Sequence, residues 1–185
     1  MRLCVAALLV ALMALTGCAK RTVPPPPAPP STSGGLRSTR PAGSYDVTSE
    51  PPKVNHTLDA EFGPIRLVGM NVPDTIRRGE PFDIGLSWLC LSKPGGDWTI
   101  AMHIDHQGQP SRRVNSDHQP PLPTSQWEVG KYTSWSHPFT FTEDMPTGTY
   151  VISVYPYATA GTPVRVTKIG QSGGSTEPSV KITVQ

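Results

Sequence analysis

The chain has 185 residues, a formal net charge of +2 and only 16% charged residues. That is enough for one ordinary domain plus extensions, and too little charge for its field to select nucleic acid or an acidic surface as partner. Its 22 prolines, against an average near ~5%, exclude a coiled coil and a large helical enzyme. The scarcity of long apolar stretches excludes a multi-span membrane protein.

The first element is an address. Arg2 supplies a positive start, and Leu3–Leu15 is an unbroken apolar run. It is shorter than the ~20 residues a membrane-crossing helix needs and suits a secretory signal. The run ends in Leu15-Thr16-Gly17-Cys18, which resembles the bacterial lipobox: an aliphatic residue, two small residues, and the cysteine that is lipidated and becomes the first mature residue. The resemblance implies a signal peptide over 1–17 and lipidation at Cys18. A lipoprotein carries at least two acyl chains, which anchor stably where a single chain does not. The resemblance further implies a cell-envelope location. Ala19, being other than Asp, favours the outer membrane, facing the periplasm. Cys4 leaves with the signal and Cys18 is blocked, so Cys90 remains alone and no intrachain disulfide forms in the mature protein.

Residues 18–58 read as the lipidated cysteine and a linker. Pro24–Pro27, Pro29, Pro30 and Ser31-Thr32-Ser33-Gly34-Gly35 leave too little apolar surface to repay ordering. About forty such residues span ~35 Å as a coil and at most ~120 Å as polyproline II. Deleting 22–50 is therefore expected to leave domain stability unchanged.

From 59 to 185 short apolar runs alternate with turn residues. Ile65–Val72 reads as a first strand, ended by Pro73-Asp74. In Glu80–Leu91, Phe82, Ile84, Leu86, Trp88 and Cys90 share one face and Asp83, Gly85 and Ser87 the other, the period-two signature of a half-buried strand. Trp98, Ile100, Met102 and Ile104 alternate in the same way. Arg112–Ser116 reads as a short edge strand and His118–Thr124 as a proline-bearing loop. Lys131–Phe141, Thr149–Tyr157, Val164–Ile169 and Ser179–Val184 complete seven or eight strands. With no helix to cover a single sheet, two antiparallel sheets must pack face to face. The expected fold is all-β, an immunoglobulin-like sandwich.

The run Leu86-Ser87-Trp88, Asp97-Trp98-Thr99-Ile100-Ala101-Met102-His103-Ile104 and Gly108 is followed by Asp117-His118, Pro120-Pro121, Pro123-Thr124, Trp127, Gly130, Pro146, Gly148 and Tyr150. In order and spacing this resembles the extracytoplasmic β-sandwich appended to some bacterial membrane glycosyltransferases of the protein-mannosyltransferase type, over about residues 78–157. The chain carries no multi-span catalytic portion, so the resemblance implies the accessory sandwich and not the transferase activity. The Trp, Gly and Pro-x-Gly-x-Tyr pattern is also similar to small sandwich protease-inhibitor domains of the intracellular bacterial type.

No Gly-x-Ser-x-Gly, His-Glu-x-x-His or phosphate-binding glycine loop is present, so neither catalysis nor a cofactor nor a metal is expected. His103 and Asp105 lie two apart on one strand face, and with His118 they form the candidate cluster for a metal-assisted hydrolase, the alternative reading. The simpler role is hydrogen bonding, a His near a carboxylate that pins loop 117–124 to a neighbouring strand. Cys90, on an apolar face, reads as a structural thiol. Trp127 with Glu128 and Tyr132 is the candidate ligand-binding set, because an exposed ring flanked by polar groups stacks on a sugar face. The favoured reading instead tucks Trp127 over the sandwich end, its indole N–H on a carbonyl. The expected role is a non-catalytic binding or structural one, with the membrane as one partner through Cys18 and an envelope protein or a glycan as the other. A loop such as 117–124 presented to a protease would instead make an inhibitor.

Overall fold

The computed structural model describes residues 43–158, 162–164, 167–169 and 178–185; Cys18 and the proline run lie outside them. The described residues form twelve strand segments: β1 (Tyr45–Thr48), β2 (His56–Phe62), β3 (Ile65–Asn71), β4 (Thr75–Ile76), β5 (Pro81–Cys90), β6 (Thr99–His106), β7 (Gln109–Asn115), β8 (Tyr132–Thr140), β9 (Gly148–Ala158), β10 (Thr162–Pro163), β11 (Lys168–Ile169) and β12 (Ser179–Val184). One sheet runs β1-β8-β5-β3-β2-β11, the other β4-β12-β9-β6-β7 with β10 on β9. The fold is an all-β sandwich, antiparallel except where β12 runs parallel to β4.

Alternation builds the core. Ile84, Leu86, Trp88 and Cys90 of β5 face inward with Leu58, Ala60 and Phe62 of β2. Across from them lie Ile100, Met102 and Ile104 of β6, Tyr150, Ile152 and Val154 of β9, and Val180, Ile182 and Val184 of β12, all buried. Two inner faces of this kind interdigitate and remove each other from water. Gly63, at φ +65°, opens the two-residue connection that pairs Phe62 with Ile65, a position where a left-handed backbone favours glycine.

The sheet begins earlier than the sequence suggests. The linker expectation extends to residue 58, whereas Tyr45–Thr48 pairs with Trp135–Tyr132 of β8 and His56 pairs with Met70 of β3. β2 carries a period-two pattern, with Leu58, Ala60 and Phe62 inward. β1 carries none, because all four of its residues are exposed and the backbone ladder alone places it.

β1 lies beyond β8 at one edge and β2 lies on the far side of β3, so residues 49–55 must cross the outer face of the first sheet. Asn55 fastens that crossing: its N–H donates to Asn71 Oδ1 at 2.8 Å and its Nδ2 to the Val72 carbonyl at 2.8 Å. Asn71 Nδ2 donates back to the Lys53 carbonyl at 3.0 Å. Gly69 makes the approach possible, since a Cβ there would sit 2.3 Å from the His56 carbonyl oxygen and 2.8 Å from Val54 Cγ2.

Candidate functional site

His118 follows β7, where its backbone exchanges both hydrogen bonds with Ile100 at 2.9 Å. The chain is thus held on β6 although β7 has ended. Its ring stands between two partners of fixed polarity. An indole N–H can only donate, and Trp135 Nε1 lies 3.1 Å from His118 Nε2. A carbonyl can only accept, and the Ser116 carbonyl oxygen lies 3.0 Å from His118 Nδ1. The ring is therefore neutral, with its proton on Nδ1. His137 of β8 stacks on it, centroids 4.4 Å apart and planes 19° apart, and His137 Nε2 lies 2.8 Å from Ser116 Oγ.

Burial lowers the His118 pKa, against the opposing pull of the Ser116 hydrogen bond and the Asp117 charge. Burial also lowers that of His137, helped by His118 beside it. A second proton on His118 would point an N–H at the Trp135 N–H and place charge against the stacked ring. The cluster joins an edge of the second sheet to β8 of the first and so pins the loop, with an indole and a carbonyl as hydrogen-bond partners where the sequence suggests a carboxylate.

The other members of the candidate hydrolase cluster are held elsewhere. The Tyr155 hydroxyl lies 2.7 Å from His103 Nδ1. Asp105 accepts from Arg113 Nε and Nη2 at 2.7 and 2.9 Å. His103, Asp105 and His118 thus have separate partners. Among the described residues no group of three or more His, Cys, Asp or Glu side chains is placed to hold a metal ion.

Trp127 takes the favoured plug position, not that of a sugar platform. It is 0% exposed, its ring 6.3 Å from Trp88 and 6.1 Å from Trp135 between centroids, and its indole N–H donates to the Leu122 carbonyl at 2.9 Å. It is a plug with no face free for stacking, because the Pro-rich loop needs an apolar anchor to stay on the sheet. Glu128 is exposed and Tyr132 half-buried on β8; without the Trp127 ring they form no stacking site. Thr124 fastens the same loop: its hydroxyl accepts from the Trp98 N–H and donates to the Gly96 carbonyl, both at 2.9 Å. Cys90 is buried, its thiol donates to the Ser92 carbonyl at 3.2 Å, and desolvation raises its pKa.

A groove of about 500 Å³ lies on the outer face of the first sheet, between β3, β5 and β8 and the crossing segment. Two cross-strand rows form its floor. One runs Asn71–Gly85–Ser136, the other Ser87–Ser134–Asp46. Gly85 leaves a bare spot between an amide and a hydroxyl. Ser134 Oγ donates to Ser87 Oγ at 3.0 Å. Asp83, Pro52 and Lys53 complete the walls. The sequence pattern marks Asp83, Gly85 and Ser87 as outward residues of β5. It does not show that a connection passes over them, so the groove escapes a reading strand by strand.

No protein-family model matches the sequence, and no curated protein matches it. Among solved structures, a superoxide reductase (neelaredoxin) from Ignicoccus hospitalis is similar at 13% identity and TM-score 0.38, over 70% of this chain and 81% of that one. A Pseudomonas fluorescens alkylpurine DNA glycosylase bound to DNA containing an abasic-site analogue is similar at 10% identity and TM-score 0.41, over 71% and 31%. A β-glucosidase from Listeria innocua in complex with laminaribiose is similar at 13% identity and TM-score 0.41, over 68% and 16%. A likeness this distant carries no information on activity.

Proposed function

We propose that the chain is a lipid-anchored module of the bacterial cell envelope, held in the outer membrane through Cys18 and facing the periplasm, with a non-catalytic binding role toward an envelope protein or a glycan. The observation that carries the reading is a division of labour among the polar groups. The side chains with catalytic potential serve architecture: His118 is clamped neutral between Trp135 and Ser116, and Asp105 is paired with Arg113. On the outer face of the first sheet, by contrast, polar groups stand open in a groove. The inhibitor alternative draws no support from loop 117–124, which is packed down: Pro120 and Thr124 are buried.

The anchoring half of the proposal is tested with Cys18→Ser in intact cells. Metabolic acyl labelling and membrane sedimentation are both expected to be lost. A Cys18→Ser chain that still takes up acyl label and sediments with the membrane overturns it. The binding half is tested by cross-linking the wild-type protein in cells and identifying what is captured. A reproducible envelope protein or glycan adduct supports the reading, and turnover of a hydrolysable substrate by the purified chain refutes it.

A further inference from the structure

We propose that the groove beneath residues 49–55 is a saccharide site, and that its ligand is a short neutral oligosaccharide. The inference rests on the binding-module reading and names its ligand class. At about 500 Å³ the groove lies within the ~300–1,000 Å³ of small-ligand clefts. It differs from them in being polar on its floor, so it suits a ligand whose surface is mostly hydroxyl.

The chemistry of the lining selects that ligand. Asp83 is half-buried on β5 and has no hydrogen bond or ion pair among the described residues. Its carboxylate can accept from two neighbouring hydroxyls, an acceptor-only role that fits a vicinal diol. Ser136, one strand away and likewise without a partner among the described residues, both donates and accepts. Gly85 pairs with Ser136 across the strands. It keeps the floor at backbone level there, with Asn71 Cβ only 3.0 Å from where a Cβ would stand, so the Asn71 amide borders the floor beside Ser136. Pro52 of the crossing segment and the exposed Pro73 offer apolar surface for the C–H face of a pyranose. The charges lining the groove are Asp46 and Asp83 against Lys53. That balance of one net negative charge disfavours phosphate and carboxylate ligands, whose charge would meet Asp83 at short range.

The crossing segment makes the site. It is fixed at its β2 end by the reciprocal hydrogen bonds of Asn55 and Asn71 and at its β1 end by Lys131 Nζ, which donates to Ser49 Oγ at 2.6 Å. The walls are therefore positioned before any ligand arrives, which limits the ordering cost of binding.

The test titrates the detergent-extracted full-length chain with chitotetraose, maltotetraose and a sugar phosphate, following backbone amide shifts. Saturable shifts centred on Asn55, Gly85, Ser87 and Ser136 are expected with at least one neutral sugar, and weaker binding with the phosphate. Asp83→Ala is expected to weaken binding about tenfold or more, since it removes hydrogen bonds to a charged acceptor. Ser136→Tyr fills the groove from its floor and is expected to abolish the shifts at an unchanged unfolding midpoint. Should Ser136→Tyr fail to fold, Asp83→Ala decides alone, because it removes an outward carboxylate without adding bulk. Absence of saturable shifts up to ~10 mM sugar, shifts centred elsewhere, or full affinity in Asp83→Ala overturns the proposal. Saturation of the groove by an extended peptide and by no sugar overturns the ligand class and leaves the binding-module reading standing. That reading fails separately, in the cross-linking experiment.

Discussion

Replacing Trp127 by Ala tests whether a loop residue acts as core. The ring has no exposed surface and stands between Trp88 and Trp135, so its removal leaves a void bounded by two other indoles that cannot both move in. Large-to-small aromatic changes of this kind cost ~3–5 kcal/mol. The lost hydrogen bond to the Leu122 carbonyl adds about 1 kcal/mol. The sum, ~4–6 kcal/mol, is a large share of the ~5–15 kcal/mol available to a domain. Trp127→Phe separates the two contributions, because it keeps most of the ring and loses only the donor; a cost of ~1–2 kcal/mol is expected for it. Urea unfolding followed by far-ultraviolet circular dichroism measures both. A Trp127→Ala protein destabilised by less than about 1.5 kcal/mol at unchanged m-value would refute the plug. So would a Phe variant as unstable as the Ala variant.

The histidine pair sets a pH dependence of stability. Burial lowers both folded-state pKa values below the ordinary 6.5, so the unfolded chain binds protons first as pH falls. Stability is then full above about pH 6.5 and declines as pH drops toward the lowered folded values. Urea midpoints from pH 7.5 to 5 are expected to fall, and His118→Gln with His137→Gln to flatten that slope. An equally steep slope in the double variant would assign it to other groups. For β1, deletion of residues 43–48 is expected to lower stability by ~1–3 kcal/mol, a few ladder hydrogen bonds offset by the entropy of ordering an exposed strand. An unchanged midpoint would show that the strand contributes nothing to the domain. The earlier expectation for 22–50 does not survive the pairing of Tyr45–Thr48 with β8.

What the sequence reveals depends on whether a residue's role is written in side-chain periodicity. β5 is legible because Ile84, Leu86, Trp88 and Cys90 alternate with polar neighbours, and a strand half in water admits no other pattern. The two-sheet architecture follows, since those apolar faces need a cover. β1 is not legible: Tyr45-Asp46-Val47-Thr48 is exposed on both faces, and what holds it is backbone pairing, to which nearly any residue can contribute. His118 is half legible. Its position ahead of a Pro-rich loop suggests a pinning bond, but the partner comes from β8, 17 residues away, and no local spacing encodes that convergence.

The outer groove shows the same limit from the other side. Period two identifies Asp83, Gly85 and Ser87 as outward as securely as it identifies their neighbours as inward. An outward residue is ordinarily a solvated one, so the pattern alone assigns these three no work. Their standing changes because the chain passes from β1 at one edge to β2 beyond β3 and must cross the sheet to do so. Ser87 then becomes buried although it faces away from the core, and Gly69 becomes a close-contact position although it lies in a strand. Both are anomalies for a solvated face, and both have the same cause in the connection above them. In a β-sandwich, a small or polar outward residue that turns out to be buried points to a covered surface. A covered polar surface with open groups beside it is where a ligand with hydroxyls gains the most, since the protein groups there have already lost part of their water.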